Sequence, residues 1–262
     1  MSLLKEFRKL NEVCQKPRYK EVGNWMVRNI IREACVPTTY FLLKTPITAN
    51  QVTFFALLLG IAGCIVFLAA SKLFFLWFAV LLHLSYYFDH VDGQIARCKK
   101  QVSLSGMMFD FITHYIIYGA IVISLGMKAY FESGDVFYVF CGAVGAISLI
   151  SFNLLEDSKY RAFFVEMLKR ESVKIKRQPS GENKKGSKAK TVFSIFHKTC
   201  EMHVIINTIT VAAILQFFGL EFMTKALAVY YAAFSLFIAA AKTFFVVTTR
   251  KPDKEFKNIF EI

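Results

Sequence analysis

Acidic and histidine side chains cluster between residues 89 and 114, around a short basic loop that separates two apolar segments. Asp89 and Asp92 are three residues apart, and Asp110 and His114 are four apart, so each pair shares one face of a helix. Acidic side chains inside membrane-length apolar sequence are costly and indicate a functional site by default. Because carboxylates are hard oxygen ligands, the two helix faces are predicted to converge on divalent cations.

Small residues and one arginine lie among these polar side chains, at Gly93, Ala96, Arg97 and Gly106. Residues with little or no side chain let two helices approach closely, and they also leave room for a flat ligand. The sequence leaves both interpretations open. An arginine at a membrane boundary can bind an anion, or it can extend its head group towards water.

The spacing of these residues resembles the signature of the CDP-alcohol phosphotransferase family, D-x2-D-G-x2-A-R-x8-G-x3-D-x3-D. Seven fixed positions match, namely Asp89, Asp92, Gly93, Ala96, Arg97, Gly106 and Asp110. His114 stands where the family has its fourth aspartate. The resemblance implies a transferase that moves a substituted phosphate group from a CDP-alcohol, such as CDP-diacylglycerol, to an alcohol acceptor. CMP would be released, in phospholipid or related phosphodiester biosynthesis.

The resemblance also implies a role for each residue of the signature. The residues expected to bind a divalent metal, Mg²⁺ or Mn²⁺, are Asp89, Asp92, Asp110 and His114. The residues expected to bind the nucleotide are Asp92, Gly93, Ala96, Arg97 and Gly106. Arg97 is expected to contact the diphosphate or to orient Asp89. The alternative for the aspartates is a salt-bridge network with Arg97 or Lys99.

His114 occupies the position of the residue that is thought to help bind metal and to accept the alcohol proton. Imidazole suits both tasks, because its unperturbed pKa is about 6.5 and it is a good ligand for transition metals. It carries no negative charge, so a second Mg²⁺ ion would bind more weakly. His114 is therefore predicted to be the catalytic base. The alternatives are a catalytically silent nucleotide- or lipid-binding membrane protein of the same fold and, third, a transporter.

Three further polar residues are candidates for contacts with the acceptor or with a phosphate. Asn50 and Thr53 lie in a run that is similar to the T-P-N-x-V-T sequence opening the first span in this family. Asn50 and Thr53 are predicted to cap the first spanning helix, and contact with a donor phosphate is the alternative role. Lys242 lies within the last apolar segment, where it would bind a phosphate of the acceptor or extend to the membrane interface. His90 is expected to face another side of its helix than Asp89.

The composition indicates an integral membrane protein. The chain has 262 residues, of which 55% are hydrophobic, and its formal net charge is +13. Most Lys and Arg residues lie between apolar segments, which the positive-inside rule and anionic head groups explain, and no nucleic-acid partner is predicted. The six cysteines are scattered without a C-x-x-C pair, which argues against a disulfide framework or a structural zinc site.

The apolar segments predict an all-α polytopic membrane protein with six transmembrane helices. The predicted spans are residues 51–70, 73–88, 107–127, 136–155, 203–219 and 223–248. The second helix is expected to continue to Ala96. Residues 19–36 predict an amphipathic helix in the membrane interface that Pro37 ends or kinks, and a short soluble helix packed on the bundle is the alternative.

The segments group into three parts. Residues 1–50 are predicted to be a cytoplasmic tail with the interfacial helix, residues 51–250 the membrane domain, and residues 251–262 a cytoplasmic tail. A basic and partly disordered cytoplasmic loop is expected at about 157–200. The bias of Lys and Arg places the active site and both termini in the cytoplasm. Small residues at 239–241 permit a tight helix contact, as in a homodimer.

Overall fold

The computed structural model describes residues 3–15, 20, 24–69, 71–169, 174–175 and 198–261. Within these ranges the fold is almost entirely α-helical. The α-helices are α1 (Leu3–Cys14), α2 (Arg32–Leu43), α3 (Ala49–Phe67), α4 (Lys72–Cys98), α5 (Leu104–Ser133), α6 (Phe137–Leu168), α7 (Met202–Phe217), α8 (Met223–Thr249) and α9 (Lys251–Ile259). A short π-helix, Val27–Ile31, precedes α2, and two-residue strands β1 (Lys174–Ile175) and β2 (Phe260–Glu261) pair antiparallel.

Five helices of the described residues, α3, α4, α5, α6 and α8, are long and apolar enough to cross a membrane. They confirm that the chain is a multi-pass membrane protein. The predicted fifth span corresponds to α7, which is apolar but has only 16 residues. A helix of that length extends about 24 Å, less than the hydrocarbon thickness of about 30 Å. The sixth crossing therefore stays a prediction.

Several helices extend beyond the ends that the sequence predicts. The third predicted span ends at residue 127, whereas α5 continues to Ser133, and the fourth ends at residue 155, whereas α6 continues to Leu168. No proline or glycine interrupts the added turn of α5 or the added turns of α6. Hydropathy marks where a helix leaves apolar surroundings, and helix propensity decides where it ends.

The amino-terminal region is more helical than a loose tail. Residues 3–14 form α1, in which Phe7 packs edge-on against Tyr40 of α2. Helix α2 does not end at Pro37 but runs through it. Proline removes one backbone hydrogen bond without forcing a helix to stop. Part of the predicted interfacial helix, including residues 21–23, lies outside the described residues, and its membrane placement stays a prediction.

The chain divides into two compact units, and the first comprises Met1–Ala120 and Ile209–Glu221. Here α3 and α4 pack closely at Gly60, where an added Cβ would lie only 3.1 Å from the Ser85 hydroxyl oxygen. The Ser85 hydroxyl also donates to the Ala56 carbonyl oxygen at 2.7 Å. These contacts fix the alignment of the two helices.

Polar contacts hold α2 and α7 on α4. The buried Gln94 amide nitrogen donates to the Arg32 carbonyl oxygen at 2.7 Å, and its oxygen accepts from Thr39 at 2.7 Å. His83 and Thr210 are hydrogen-bonded at 3.0 Å, so Thr210 joins α7 to α4. Helix α4 is thus bonded to α2 on one side and to α7 on another.

The second unit comprises Ile121–Thr208 and Phe222–Ile262. Its helices α5 and α6 cross at glycine, since a Cβ on Gly126 would lie 2.5 Å from the Tyr138 carbonyl oxygen and 2.7 Å from the Gly142 Cα. At the other end of α6, Phe163 packs against Phe256 of α9. Residues 251–259 are therefore a packed helix, where the sequence predicted only a tail.

Candidate functional site

Both halves of the signature lie in the first unit, on the two helices that flank the basic loop. Asp89 and Asp92 belong to α4, and Asp110 and His114 belong to α5. Helix α4 ends at Cys98, and Lys100 adopts a left-handed conformation with φ of 55°. The turn sends the chain into α5, so the acidic faces of the two helices lie together.

Three of the four predicted metal ligands meet at this point. Ligand atoms of Asp89, Asp110 and His114 lie within 4.8 Å of one another. Nε2 of His114 lies 2.8 Å from Oδ1 of Asp89 and 3.8 Å from Oδ1 of Asp110. All three side chains are partly exposed, so a ligand can reach them.

The donor set fits a divalent cation. Two carboxylates supply hard oxygen donors, as Mg²⁺ and Mn²⁺ require, and the imidazole nitrogen adds a donor that transition ions prefer. Asp89, Asp110 and His114 are therefore the residues that could hold a metal ion. His114 carries no negative charge where the resembled four-aspartate pattern has a carboxylate, so a second dication would be bound more weakly.

Asp92 stands apart from this group of three. Its Oδ2 accepts a hydrogen bond from the Thr53 hydroxyl of α3 at 2.5 Å. Both side chains are buried, with 7% of Asp92 and 6% of Thr53 exposed. The first half of the signature therefore places one carboxylate in the cluster and the other against α3.

The predicted helix-capping role of Asn50 and Thr53 is wrong. Thr48 is the N-cap of α3. Its hydroxyl accepts a hydrogen bond from the backbone N–H of Gln51, and the side-chain oxygen of Gln51 accepts one from the backbone N–H of Thr48. This reciprocal pair is a capping box. Asn50 is exposed in the first turn of α3, and a Cβ on Gly106 would lie 3.2 Å from its side-chain oxygen. Gly106 thus permits a close approach between α5 and Asn50.

The other positions of the signature contact neighbouring parts of the first unit. A Cβ on Gly93 would lie 3.3 Å from the Arg97 guanidinium, and Ala96 packs on the apolar cluster that includes Val52 and Val91. Nε of Arg97 donates to the Cys14 carbonyl oxygen at 2.5 Å. The signature arginine thereby joins α4 to α1.

The loop lysine is also used structurally. Nζ of Lys99 donates to the carbonyl oxygens of Thr45 and Ile47 at 2.7 and 2.6 Å. The amide of Ala49 donates to the Gln101 side chain at 3.0 Å. These bonds tie the loop after α4 to the start of α3. The alternative prediction was a salt-bridge network between the aspartates and Arg97 or Lys99. The bonds of these two cations to backbone carbonyl oxygens do not support it.

Sequence reasoning missed the position of His90. It does not face away from Asp89, because Nδ1 of His90 lies 3.5 Å from Oδ2 of Asp89. The same nitrogen lies 2.9 Å from the Tyr86 carbonyl oxygen, to which it donates when it carries the proton. Asp89 is thus flanked by two imidazoles. The signal in the sequence that could have indicated this contact is that His90 directly follows Asp89.

Lys242 lies in the second unit and is buried, with 4% of the residue exposed. Its Nζ donates to the Phe152 carbonyl oxygen at 3.3 Å and lies 3.8 Å from the centre of the Phe152 ring. The ammonium group is therefore held inside the second unit, against α6. A cation over an aromatic face is attracted to the ring electrons, which helps to stabilise its charge in the bundle.

The cysteine near the site serves packing. Cys35 of α2 is fully buried and donates to the Tyr87 carbonyl oxygen at 3.6 Å. Burial, with the nearby Asp89 and Asp92 carboxylates, raises the pKa of the Cys35 thiol to about 12. A neutral thiol is a poor nucleophile and a poor metal ligand.

Two comparisons with known proteins bear on the chain. The family model for CDP-alcohol phosphatidyltransferase matches residues 46–218, which are more than half of the chain and include every residue of the signature. The inner membrane protein YnbA of Escherichia coli (strain K12) is 29% identical over 86 residues. That alignment covers 32% of this chain and 43% of YnbA, so the chain spans less than half of that relative.

Proposed function

Because this chain belongs to the CDP-alcohol phosphatidyltransferase family, we propose that it transfers a substituted phosphate group from a CDP-alcohol, such as CDP-diacylglycerol, to an alcohol acceptor. CMP is the leaving group, and the products belong to phospholipid or related phosphodiester biosynthesis. The observation that carries the proposal is the convergence of Asp89, Asp110 and His114, whose ligand atoms lie within 4.8 Å of one another.

The reaction requires that the negative charge of the diphosphate be neutralised. A divalent ion, when bound, supplies that charge stabilisation. In this chain Asp89 and Asp110 would provide oxygen donors for it, and His114 would provide a nitrogen donor. Asp92 is the fourth candidate ligand, held at a fixed position by Thr53.

The attacking alcohol must also lose a proton, and His114 is the residue that we assign to accept it. In the structure Nε2 of His114 lies 2.8 Å from the Asp89 carboxylate. A neutral imidazole that donates from Nε2 has Nδ1 as its proton acceptor. The alcohol proton moves to Nδ1, the oxygen bonds to phosphorus, and the phosphorus–oxygen bond to CMP breaks. In the tautomer that carries its proton on Nδ1, Nε2 would instead be able to hold a divalent ion.

A CMP-release assay on purified protein in lipid nanodiscs tests the proposed transfer. We expect CMP release from CDP-diacylglycerol to depend on both an alcohol acceptor and Mn²⁺ or Mg²⁺. The assay should cover a panel of alcohols, because the acceptor is not specified by the site. Retained nucleotide binding without CMP release across the panel would favour the catalytically silent alternative.

Binding gives a second, independent prediction. CDP with Mn²⁺ should raise the melting temperature of the protein. At a ligand concentration of 100 times Kd, the free energy of unfolding should increase by about 2.7 kcal/mol. Asp89→Asn and Asp110→Asn should each abolish this shift, because each removes a charged donor from the cluster. Asp253→Asn, at an exposed position of α9, is the matched control and should keep the full shift. Full nucleotide stabilisation in both cluster variants would argue against the site.

We also propose the predicted orientation, with the site and both termini in the cytoplasm. Single cysteines at positions 134, 181 and 258, probed with a membrane-impermeant thiol reagent, provide the test. We expect residues 181 and 258 to be cytoplasmic and residue 134 to be external. If α7 does not cross the membrane, residues 181 and 258 will lie on opposite sides. The six-span arrangement would then be wrong.

A further inference from the structure

The alignment of α3 with α4 places Thr53 directly against Asp92. The two helices are antiparallel neighbours whose alignment is fixed where Gly60 lies beside Ser85. Moving seven residues towards the signature on each helix, about two turns, returns to the same face of both. That step leads from Gly60 to Thr53 and from Ser85 to Asp92. The contact between Thr53 and Asp92 is therefore a consequence of the packing of the whole helix pair.

The Thr53 hydroxyl has two possible acceptors and one proton. It lies 3.2 Å from the Ala49 carbonyl oxygen, the usual partner for a helical threonine, and 2.5 Å from Oδ2 of Asp92. The shorter distance favours Asp92 as the acceptor. The proton is therefore assigned to the bond between α3 and α4.

We propose that Thr53 is a positioning residue for Asp92, a role that rests on the transferase function proposed above. Only 6% of Thr53 is exposed, so substrate has little access to it and it acts through the carboxylate. The hydroxyl holds the Asp92 side chain in one orientation, which the divalent ion and the nucleotide require. Outer-shell hydrogen bonds of this kind typically change metal affinity or activity by about 10–100-fold.

The test compares substitutions that keep or remove the hydroxyl. Thr53→Val has nearly the same shape without the donor, and we expect it to lower kcat/KM for CMP release by about 10–100-fold and to raise the Mn²⁺ concentration required. Thr53→Ser keeps the donor and should restore most of the activity. Thr243→Val is the matched control, because the Thr243 hydroxyl donates within its own helix, to the Ala239 carbonyl oxygen. It should behave like wild type.

A double-mutant cycle separates positioning from a general structural effect. In an Asp92→Asn background, Thr53→Val should have no further effect on Mn²⁺ affinity measured by electron paramagnetic resonance. An equal loss in both backgrounds, or wild-type activity and Mn²⁺ affinity in Thr53→Val, would overturn the proposal. If Thr53→Val does not fold, Thr53→Ala and Thr53→Ser replace it in the cycle. Absence of CMP release from wild type would reject the transferase function, whereas the Mn²⁺ cycle would still decide the role of Thr53.

Discussion

Replacing His114 with alanine should lower the rate of transfer by about two to four orders of magnitude, the usual contribution of a general base. Binding of the CDP-alcohol should stay close to that of wild type, because Asp89, Asp92 and Asp110 remain. The loss should therefore lie in kcat. Single-turnover CMP release, measured beside nucleotide binding for the same preparation, separates the two quantities.

His114→Asp is the sharper variant, because it restores the family signature. The new carboxylate adds an oxygen donor and a negative charge, so it should keep measurable transfer and shift the metal preference towards Mg²⁺. His203→Ala is a suitable control at a histidine outside the signature. Wild-type transfer by His114→Ala would exclude the base assignment. Transfer by His114→Asp from an inactive wild type would show that the natural protein is catalytically silent.

Replacing Gly126 with alanine should destabilise the protein by about 1–3 kcal/mol, the usual cost of overpacking. In an ordinary helix the same change stabilises by about 0.5–1 kcal/mol. Here the added Cβ would lie 2.5 Å from the Tyr138 carbonyl oxygen and 2.7 Å from the Gly142 Cα. These are backbone atoms, which cannot rotate aside, so α5 and α6 would have to separate.

Thermal unfolding in detergent micelles tests this prediction. Overpacking at Gly126 would lower the melting temperature, whereas the same change in an ordinary helix would raise it. Ala143→Leu is the control, because it adds more volume to α6 at an exposed position and should leave the melting temperature nearly unchanged. A Gly126→Ala variant that melts at or above the wild-type temperature would mean that the helices can separate at little cost. The close crossing would then contribute little to stability.

The residues of the signature predicted the family and the meeting of α4 with α5. Spacing was sufficient because residues three and four apart share a helix face, whatever surrounds the helix. Hydropathy likewise located the long apolar helices. It could not locate the end of α6 at Leu168, since a helix continues through polar sequence when no residue interrupts it.

The sequence could not predict which side chains contact one another across different helices. The contact of Thr53 with Asp92 depends on the alignment of α3 with α4, which is fixed at Gly60 two turns away. The burial of Lys242 over the Phe152 ring depends on how α6 and α8 pack. Both are consequences of tertiary packing, for which a single sequence carries no local pattern.

The length of α6 means that two different forces hold it in place. Its 32 residues extend about 48 Å, whereas the hydrocarbon layer is about 30 Å thick. If the membrane span is the predicted one, residues 136–155, then the last turns, with Phe163 and its partner Phe256, meet α9 outside the hydrocarbon layer, where exclusion of apolar surface from water drives association. Within lipid that force is absent, and close crossings such as that at Gly126 depend on van der Waals contact. Urea weakens apolar association in water, so it should release α9 while the crossing in lipid persists.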